Sequence, residues 1–255
     1  MLICRYQGKI TFVKKYYKNQ INYLKHSKIV SVSLLFFKFG IGEAYFKCIR
    51  ENLNKILREK IMKVEQLLER YAAGERNFRD TDLFRADLNN VNLAGASLFR
   101  VNFFRANLFR ANLIGVNLYN ATLIGANLYR ADLSGANLSG ADLTRADLSG
   151  ANLSGADLSA ADLSGAILSY AHLSYADMSR TNLHKATLID TNLSGANLSG
   201  ADLRDTKIIR VNVTEAKFVL GIGLSREMKE ELQQQGAIIE EMPKEPYATR
   251  LLSLM

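Results

Sequence analysis

Large apolar residues occupy every fifth position of a long segment that begins with Phe78 and ends with Phe218. There are 29 of them in succession without an insertion or deletion, and around most the chain reads Ala-Asp/Asn-Leu-x-x. On an α-helix five residues advance about 500°, so successive members would lie about 140° apart and form no apolar face. On a flat strand the odd spacing would place them on alternate faces. The chain must therefore turn once in every repeat.

The local order of residues indicates how the chain turns. The small residue and the Leu of each repeat are two positions apart, so an extended backbone places both on one side and the Asp or Asn on the other. The next two residues are often Ser-Gly, and both favour a turn. Stacked coils of this kind bury the Leu and the small residue, and their backbones pair between layers about 4.8 Å apart.

This A(D/N)LXX pattern resembles the pentapeptide-repeat family, and the resemblance covers residues 78–220. It implies an all-β fold, a right-handed quadrilateral β-helix with about four repeats in each coil and about seven coils in total. Some bulky outward residues do recur at 20-residue spacing, as in Phe84 with Phe104, Phe99 with Tyr119 and Phe109 with Tyr129. They do so no more often than chance, so the number of repeats per coil comes from the resemblance alone.

The net positive charge of the chain comes from its first 61 residues. The net charge of the whole chain is +8, yet residues 1–61 hold 13 basic and 3 acidic side chains, whereas residues 77–220 hold 13 of each. The first segment is also rich in Lys, Asn, Ile, Phe and Tyr, the residues of A/T-rich codons, and it contains no Asp. Our hypothesis is that translation starts at Met62 and that residues 1–61 are upstream sequence read in frame. An intact mass matching residues 62–255 tests this hypothesis.

Two other interpretations of residues 1–61 stay open. Residues 29–42 are apolar apart from serines and Lys38, but they are shorter than the roughly 20 residues that span a membrane. They also lie too far from the start for a secretory signal. Targeting or membrane association therefore competes with a genuine N-terminal domain of unknown role. Cys4 and Cys48 lie in this segment without the spacing of metal ligands. We expect a cytoplasmic protein.

Both ends of the repeat region are expected to carry helical caps. Residues 62–77 predict a short amphipathic helix, closed by Gly74, with Leu67, Leu68 and Tyr71 on its apolar side. Residues 221–255 predict a second cap and a loose tail at 243–255. In that cap Ser225 precedes a helix over residues 226–235, Gly236 follows it, and residues 237–239 form a short strand. Such caps cover the open end coils of a solenoid.

The sequence offers little for chemistry. His172 and His184 are 12 residues apart with no third ligand at a meaningful spacing, so both are interpreted as surface residues. Acidic side chains occupy the position before the Leu, where Asp or Asn can bond to nearby backbone at a corner. The Gly221-Ile222-Gly223 segment lacks the Lys of a phosphate-binding loop. We expect no catalytic, cofactor-binding or metal-binding residue, and the resemblance likewise implies a protein that is not an enzyme.

The outward residues differ between the two halves of the repeat region. Up to Tyr129 the position after the Leu is often aromatic and the next is often Arg, whereas from Ser134 to Ser179 the first of these positions holds only Ser or Thr. An apolar patch rimmed by Arg has the composition of a protein interface. The candidate interaction surface consists of Phe84, Phe99, Phe104, Arg105, Phe109, Arg110, Tyr119, Tyr129 and Arg130. The alternative is that the predicted N-terminal helix or residues 29–46 cover it.

Three functions follow from these features. The first is a non-catalytic scaffold that binds a protein partner or a second copy of itself. The second is DNA mimicry, because the resemblance includes quinolone-resistance proteins that bind DNA gyrase. Mimicry requires an acidic rod, but here the repeats are neutral and only residues 132–166 are mildly acidic. The third is a membrane-tethered or exported scaffold, which requires residues 1–61. Nucleic acid and small-molecule substrates are disfavoured as partners.

Overall fold

The structure, a computed structural model, describes residues 3–6, 9–12 and 62–240, and the chain divides into two compact units, Met1–Lys60 and Ile61–Met255. In the first unit, strands β1 (Ile3–Tyr6) and β2 (Lys9–Phe12) pair antiparallel, with Ile3 opposite Phe12. The predictions for residues 29–42 and for the tail at 243–255 lie outside the described residues.

The second unit is a solenoid whose layers pair at one constant interval. Each residue in the outward position before the Leu pairs in parallel with the residue 20 positions further on, beginning with Asn77 and Ser97 and ending with Asp202 and Ile222. The same interval governs strands β3 (Thr187–Ile189) and β4 (Lys207–Ile209). Four consecutive repeats therefore separate the two members of each pair.

Every repeat ends in a tight turn. Around residue 153, the Ala156 N–H donates to the Leu153 carbonyl at 3.0 Å, and Gly155 between them has a φ of 65°. The equivalent corner at Arg105 has a φ of 53°, although this region favours glycine. Between turns, the Leu153 N–H donates to the His172 carbonyl of the next layer at 2.7 Å. The prediction that the chain turns once per repeat is confirmed.

The centre of the solenoid is filled by the five-residue series. Its members from Phe78 to Phe218 are at most 3% exposed, except Ile208, which is half-buried. The small residue two positions earlier is usually a buried Ala, and a buried Thr takes this place at positions 181 and 191. Thr191 donates from Oγ1 to the Leu168 carbonyl at 2.9 Å. Among the described residues no buried side-chain polar atom lacks a hydrogen-bond partner.

Helix α1 (Val64–Ala72) lies at the start of the solenoid. Leu67 is fully buried and the Tyr71 hydroxyl donates to the Ala94 carbonyl at 2.9 Å. Leu68, the third apolar residue named for this helix, is 36% exposed. It lies about 100° around the helix from Leu67 and therefore at the edge of the apolar side. Gly74 follows the helix with a φ of 93°, as a C-terminal glycine does.

The other end is closed by strand β5 (Lys217–Val219), helix α2 (Arg226–Gln234) and strand β6 (Ile238–Glu240). The Ser225 hydroxyl accepts from the Met228 N–H at 3.2 Å, which confirms the predicted N-cap, and the helix ends one residue before the predicted end. Strand β6 pairs in parallel with β5, with Ile239 opposite Phe218. The final strand thus occupies backbone groups that the last coil would leave unpaired.

Candidate interaction surface

The 20-residue interval arranges the turn residues in columns, one at each of four successive corners. Each column is named here for one of its members. The Phe84 column contains Phe84, Phe104 and Ile124, followed by Arg85, Arg105 and Gly125; the Phe109 column contains Phe109 and Tyr129, followed by Arg110 and Arg130. The Phe99 column contains Phe99 and Tyr119, followed by Arg100 and Asn120; the Ile114 column contains Ala94 and Ile114, followed by Gly95 and Gly115.

Aromatic rings stack along three of these columns. Phe84 and Phe104 have centroids 5.5 Å apart and planes 5° apart. Phe99 lies 5.5 Å from Tyr119 with planes 14° apart, and Phe109 lies 5.8 Å from Tyr129 with planes 4° apart. From the sequence alone, the 20-residue spacing of these three pairs could not be distinguished from chance. In the structure all three pairs stack. The structure distributes the nine candidate residues over three corners, and the ring contacts join only residues 20 apart.

The stacks are open to solvent to different degrees. Phe84 is 41% exposed and Tyr119 is 40% exposed, whereas Phe99, Phe104 and Tyr129 are half-buried. Part of this burial comes from the neighbouring ring of the same stack. Helix α1, one of the two segments that the sequence offered as a cover, leaves the Phe84 ring exposed.

Four arginines, Arg100, Arg105, Arg110 and Arg130, each lie over the aromatic ring of the preceding residue. The guanidinium carbon is 5.3 Å from the ring centroid for Arg105 over Phe104, and 5.4 Å for Arg110 over Phe109. The same contact measures 5.3 Å at Arg130 over Tyr129. Cation–π attraction of this kind contributes about 0.5–1 kcal/mol at exposed sites. The corners thus carry units that combine an aromatic ring with a cation.

The arginines differ in what neutralises them. In the Phe99 column Arg100 forms an ion pair with Asp80, and its Nε donates to the carboxylate at 2.7 Å. Five other arginines at or beside these stacked rings form neither an ion pair nor a side-chain hydrogen bond within the part of the chain that the structure describes: Arg79, Arg85, Arg105, Arg110 and Arg130. Arg85 was not among the candidate residues, although its 20-residue spacing from Arg105 could have identified it.

The outward Asp and Asn residues build the corners, as predicted. Asp132 accepts at Oδ1 from the Ser134 N–H at 3.0 Å and from Asn152 Nδ2 at 3.1 Å. In the mildly acidic stretch Asp142 pairs with Asp162 of the next layer, and the Asp142 carboxylate accepts from the Thr144 N–H at 3.0 Å. These carboxylates are therefore engaged within their own turns.

Hydrogen bonds lower the pKa of several of these carboxyl groups. Hydrogen bonds from the Asn89 and Asn107 side chains hold the pKa of Asp87 below its ordinary value, so it carries a negative charge between the Phe84 and Phe109 columns. The hydrogen bond from Arg204 is the largest cause that lowers the pKa of Asp202 to about 2.

The two candidate histidines do not meet. His184 Nδ1 lies 3.0 Å from the Arg204 carbonyl oxygen, and His172 is exposed in the layer between Asn152 and Asn192. Among the described residues no group of three His, Cys, Asp or Glu side chains has the geometry of a metal site. Nor does any helix of this part of the chain have the length and apolar character needed to cross a membrane.

Comparison with known proteins identifies the family. The family model for pentapeptide repeats matches residues 77–113, 106–145, 146–184 and 181–218. The chain therefore belongs to the pentapeptide repeat family, as the repeat pattern indicated. No curated protein matches it.

Several solved structures are similar to the chain. HetL of the cyanobacterium Nostoc sp. strain PCC 7120, involved in heterocyst differentiation regulation, is 29% identical over 63% of this chain and 92% of its own, with a TM-score of 0.32. A thylakoid-lumen protein of Arabidopsis thaliana is 29% identical over 52% and 92%, with a TM-score of 0.42. Rfr23 of Cyanothece 51142 is 24% identical over 62% and 97%, with a TM-score of 0.19. All three are pentapeptide repeat proteins.

Proposed function

We propose that the protein is a non-catalytic scaffold that presents a rigid β-helical surface to a protein partner. The observation that carries this proposal is the set of stacked aromatic and arginine corners in the first half of the repeats. The core does not require them, because later corners of the same solenoid are built from Ser and Gly. Aromatic and Arg side chains carry much of the binding energy at protein interfaces.

The proposed architecture is a right-handed quadrilateral β-helix of about seven coils. Pairing between residues 20 positions apart supports four repeats in each coil. Such a rod needs no rearrangement to present its corners, since every layer is tied to the next by backbone hydrogen bonds. A preformed surface loses little conformational entropy on binding.

DNA mimicry is a weaker second candidate. A mimic must present negative charge, and pairs such as Asp142 with Asp162 do align carboxylates along the solenoid. Their oxygens are engaged in their own turns, and the arginine corners of the first half have the opposite sign. The charge distribution therefore favours a scaffold.

The test is affinity capture from extracts of the source organism with the full chain as bait. A variant carrying Phe104→Ser, Phe109→Ser and Arg105→Gly should keep its free energy of unfolding, measured by urea titration, within about 1 kcal/mol of the original, because these side chains lie outside the core. It should also lose the captured partner, or lose self-association in sedimentation. A matched control carries Tyr170→Ser, Tyr175→Ser and Arg180→Gly, which removes two exposed rings and one Arg beyond the candidate surface.

Two outcomes contradict the proposal. If the first variant unfolds much more easily than the control, the aromatic corners are structural. If both variants retain every partner, or the original protein retains none and is monomeric, the candidate surface is not where the protein acts.

A further inference from the structure

We infer that one side of the β-helix, between the Phe84 column and the Phe109 column, binds an acidic segment of a protein partner that also carries apolar side chains. This basic side is defined by Arg85, Arg105, Arg110 and Arg130 with the rings Phe84, Phe104, Phe109 and Tyr129. The inference rests on the proposed scaffold function and specifies its surface and the chemistry of its partner.

The first argument is unneutralised charge. Arg85 and Arg105 occupy the same corner in successive layers, and so do Arg110 and Arg130. Layers of paired backbone lie about 4.8 Å apart, so each corner places like charges close together. In the layers of these four cations the outward positions between the two columns offer one carboxylate, Asp87, and the layer after them adds a second, Asp147. Carboxylates supplied by a partner would remove this repulsion and gain charge-assisted hydrogen bonds.

The second argument is the contrast among corners. The Phe99 column has stacked rings of the same kind, but Asp80 neutralises its Arg100. In the Ile114 column the residue with positive φ, which is the second of the two after each Leu, is a glycine at positions 95, 115 and 135. Within the described part of the chain, the basic side combines stacked rings with four arginines that lack an ion pair, whereas the Phe99 column has one such arginine, Arg79, over its Phe99 ring. The number of arginines without an ion pair therefore distinguishes this side of the β-helix from the other three.

The third argument distinguishes a protein partner from single-stranded nucleic acid. Bases bind by stacking on open ring faces. Here Phe104 has the Phe84 ring against it and the Arg105 guanidinium over it, and Phe109 is placed in the same way between Tyr129 and Arg110. Mainly the ring edges remain for a partner, and the edge of an aromatic ring carries partial positive charge. Ring edges beside guanidinium groups suit carboxylates, and the exposed Phe84 ring suits an apolar side chain.

The experiment measures binding of labelled probes to the full chain by fluorescence anisotropy. The probe is a peptide of about 12 residues, enough to extend along several layers, with Glu and Leu in alternation. A second peptide has Gln in place of every Glu, and a third probe is an oligothymidylate of similar length. The test variant carries Arg105→Gly and Arg110→Gly. The control variant carries Arg100→Gly and Arg180→Gly, two arginines with the same positive φ that lie outside the basic side.

We expect the acidic peptide to bind the original chain and the control within about twofold of each other, and the test variant at least about tenfold more weakly. Binding should weaken with added salt, since exposed charges are screened. The Gln peptide should bind at least about tenfold more weakly than the Glu peptide.

Three results overturn the inference: no binding of the acidic peptide, equal weakening by test and control variants, or tighter binding of the oligothymidylate. Partners captured by the full chain that survive Arg105→Gly with Arg110→Gly, but are lost with the Phe104, Phe109 and Arg105 variant described above, would leave the scaffold function standing while this inference fails. An original chain that captures nothing and does not self-associate would instead remove the scaffold function itself.

Discussion

At the scale of the residue, the second position after each Leu has the same positive φ whichever side chain it carries. Gly135 has a φ of 62° and nothing within 4 Å of an added Cβ, so replacement there meets only backbone strain. Gly223 has a φ of 97°, and a Cβ there would lie 2.3 Å from the Arg204 backbone nitrogen. In the Gly221-Ile222-Gly223 segment, the second glycine is thus required by close backbone approach.

We expect Gly135→Ala to lower the free energy of unfolding by about 1 kcal/mol, the approximate cost of a left-handed conformation for alanine. Gly223→Ala should lower it by about 3 kcal/mol or more, because the main chain of the preceding layer must also move. Urea titrations of the two variants provide the measurement. Equal losses would mean that the backbone contact at Gly223 relaxes without cost.

Neighbouring residues of one repeat differ sharply in burial, because one lies in the core and the next lies at the corner. Leu153 is fully buried, whereas Ser154 is half-exposed and its Oγ accepts from the Ser174 hydroxyl at 3.1 Å. We expect Leu153→Ala to lower the free energy of unfolding by about 2–5 kcal/mol through lost burial and a cavity. Ser154→Ala should change it by less than about 0.5 kcal/mol. Similar losses from both in urea would contradict the inward and outward assignment.

At the scale of the element, helix α2 depends on a single side chain at its start. The Ser225 hydroxyl satisfies the Met228 N–H, and Leu232 is the buried contact of the helix. Ser225→Ala should therefore weaken α2 by about 1 kcal/mol, with faster hydrogen exchange in residues 226–234 and little change near Leu153. Uniform acceleration along the whole solenoid would instead show that the helix and the coils unfold as one unit. Ser225→Asn, which keeps a capping oxygen, is the control.

Features that depend on residues close in sequence could be predicted from the sequence. These are the turn in each five-residue repeat and the Ser225 cap. The stack of Phe84 on Phe104 depends on the number of repeats per layer, which local patterning does not contain. The ion pair of Arg100 with Asp80 has the same origin. Long-range alignment, and with it the separation of basic from neutral corners, required the structure.

At the scale of the whole molecule, low pH should weaken the fold through several carboxylates. The pKa of Asp202 is lowered to about 2, chiefly by the Arg204 hydrogen bond, and the pKa values of Asp87 and Asp190 are also lowered by side-chain hydrogen bonds. A pKa below the unfolded value of about 3.9 adds stability above pH 4, and this stability is lost as the pH falls towards 2.

We expect Asp202→Asn to lower Tm near neutral pH and to differ progressively less from the original protein as the pH falls from about 4 to about 2. Thermal melts across this range provide the measurement. A gap in Tm that stays constant with pH would show that Asp202 acts through packing and not through its charge.

The constant pairing interval has a consequence for how such a gene can change in length. Loss or duplication of 20 residues within the repeats would shorten or lengthen the solenoid and leave every remaining side chain at its own corner. Insertion of a single pentapeptide would keep the core equally well filled but would move everything downstream to the neighbouring corner. An insertion between Arg105 and Arg110 would thus separate the two halves of the basic side without disturbing the fold. Recombination among such similar repeats can therefore alter what the protein recognises while leaving its stability almost untouched.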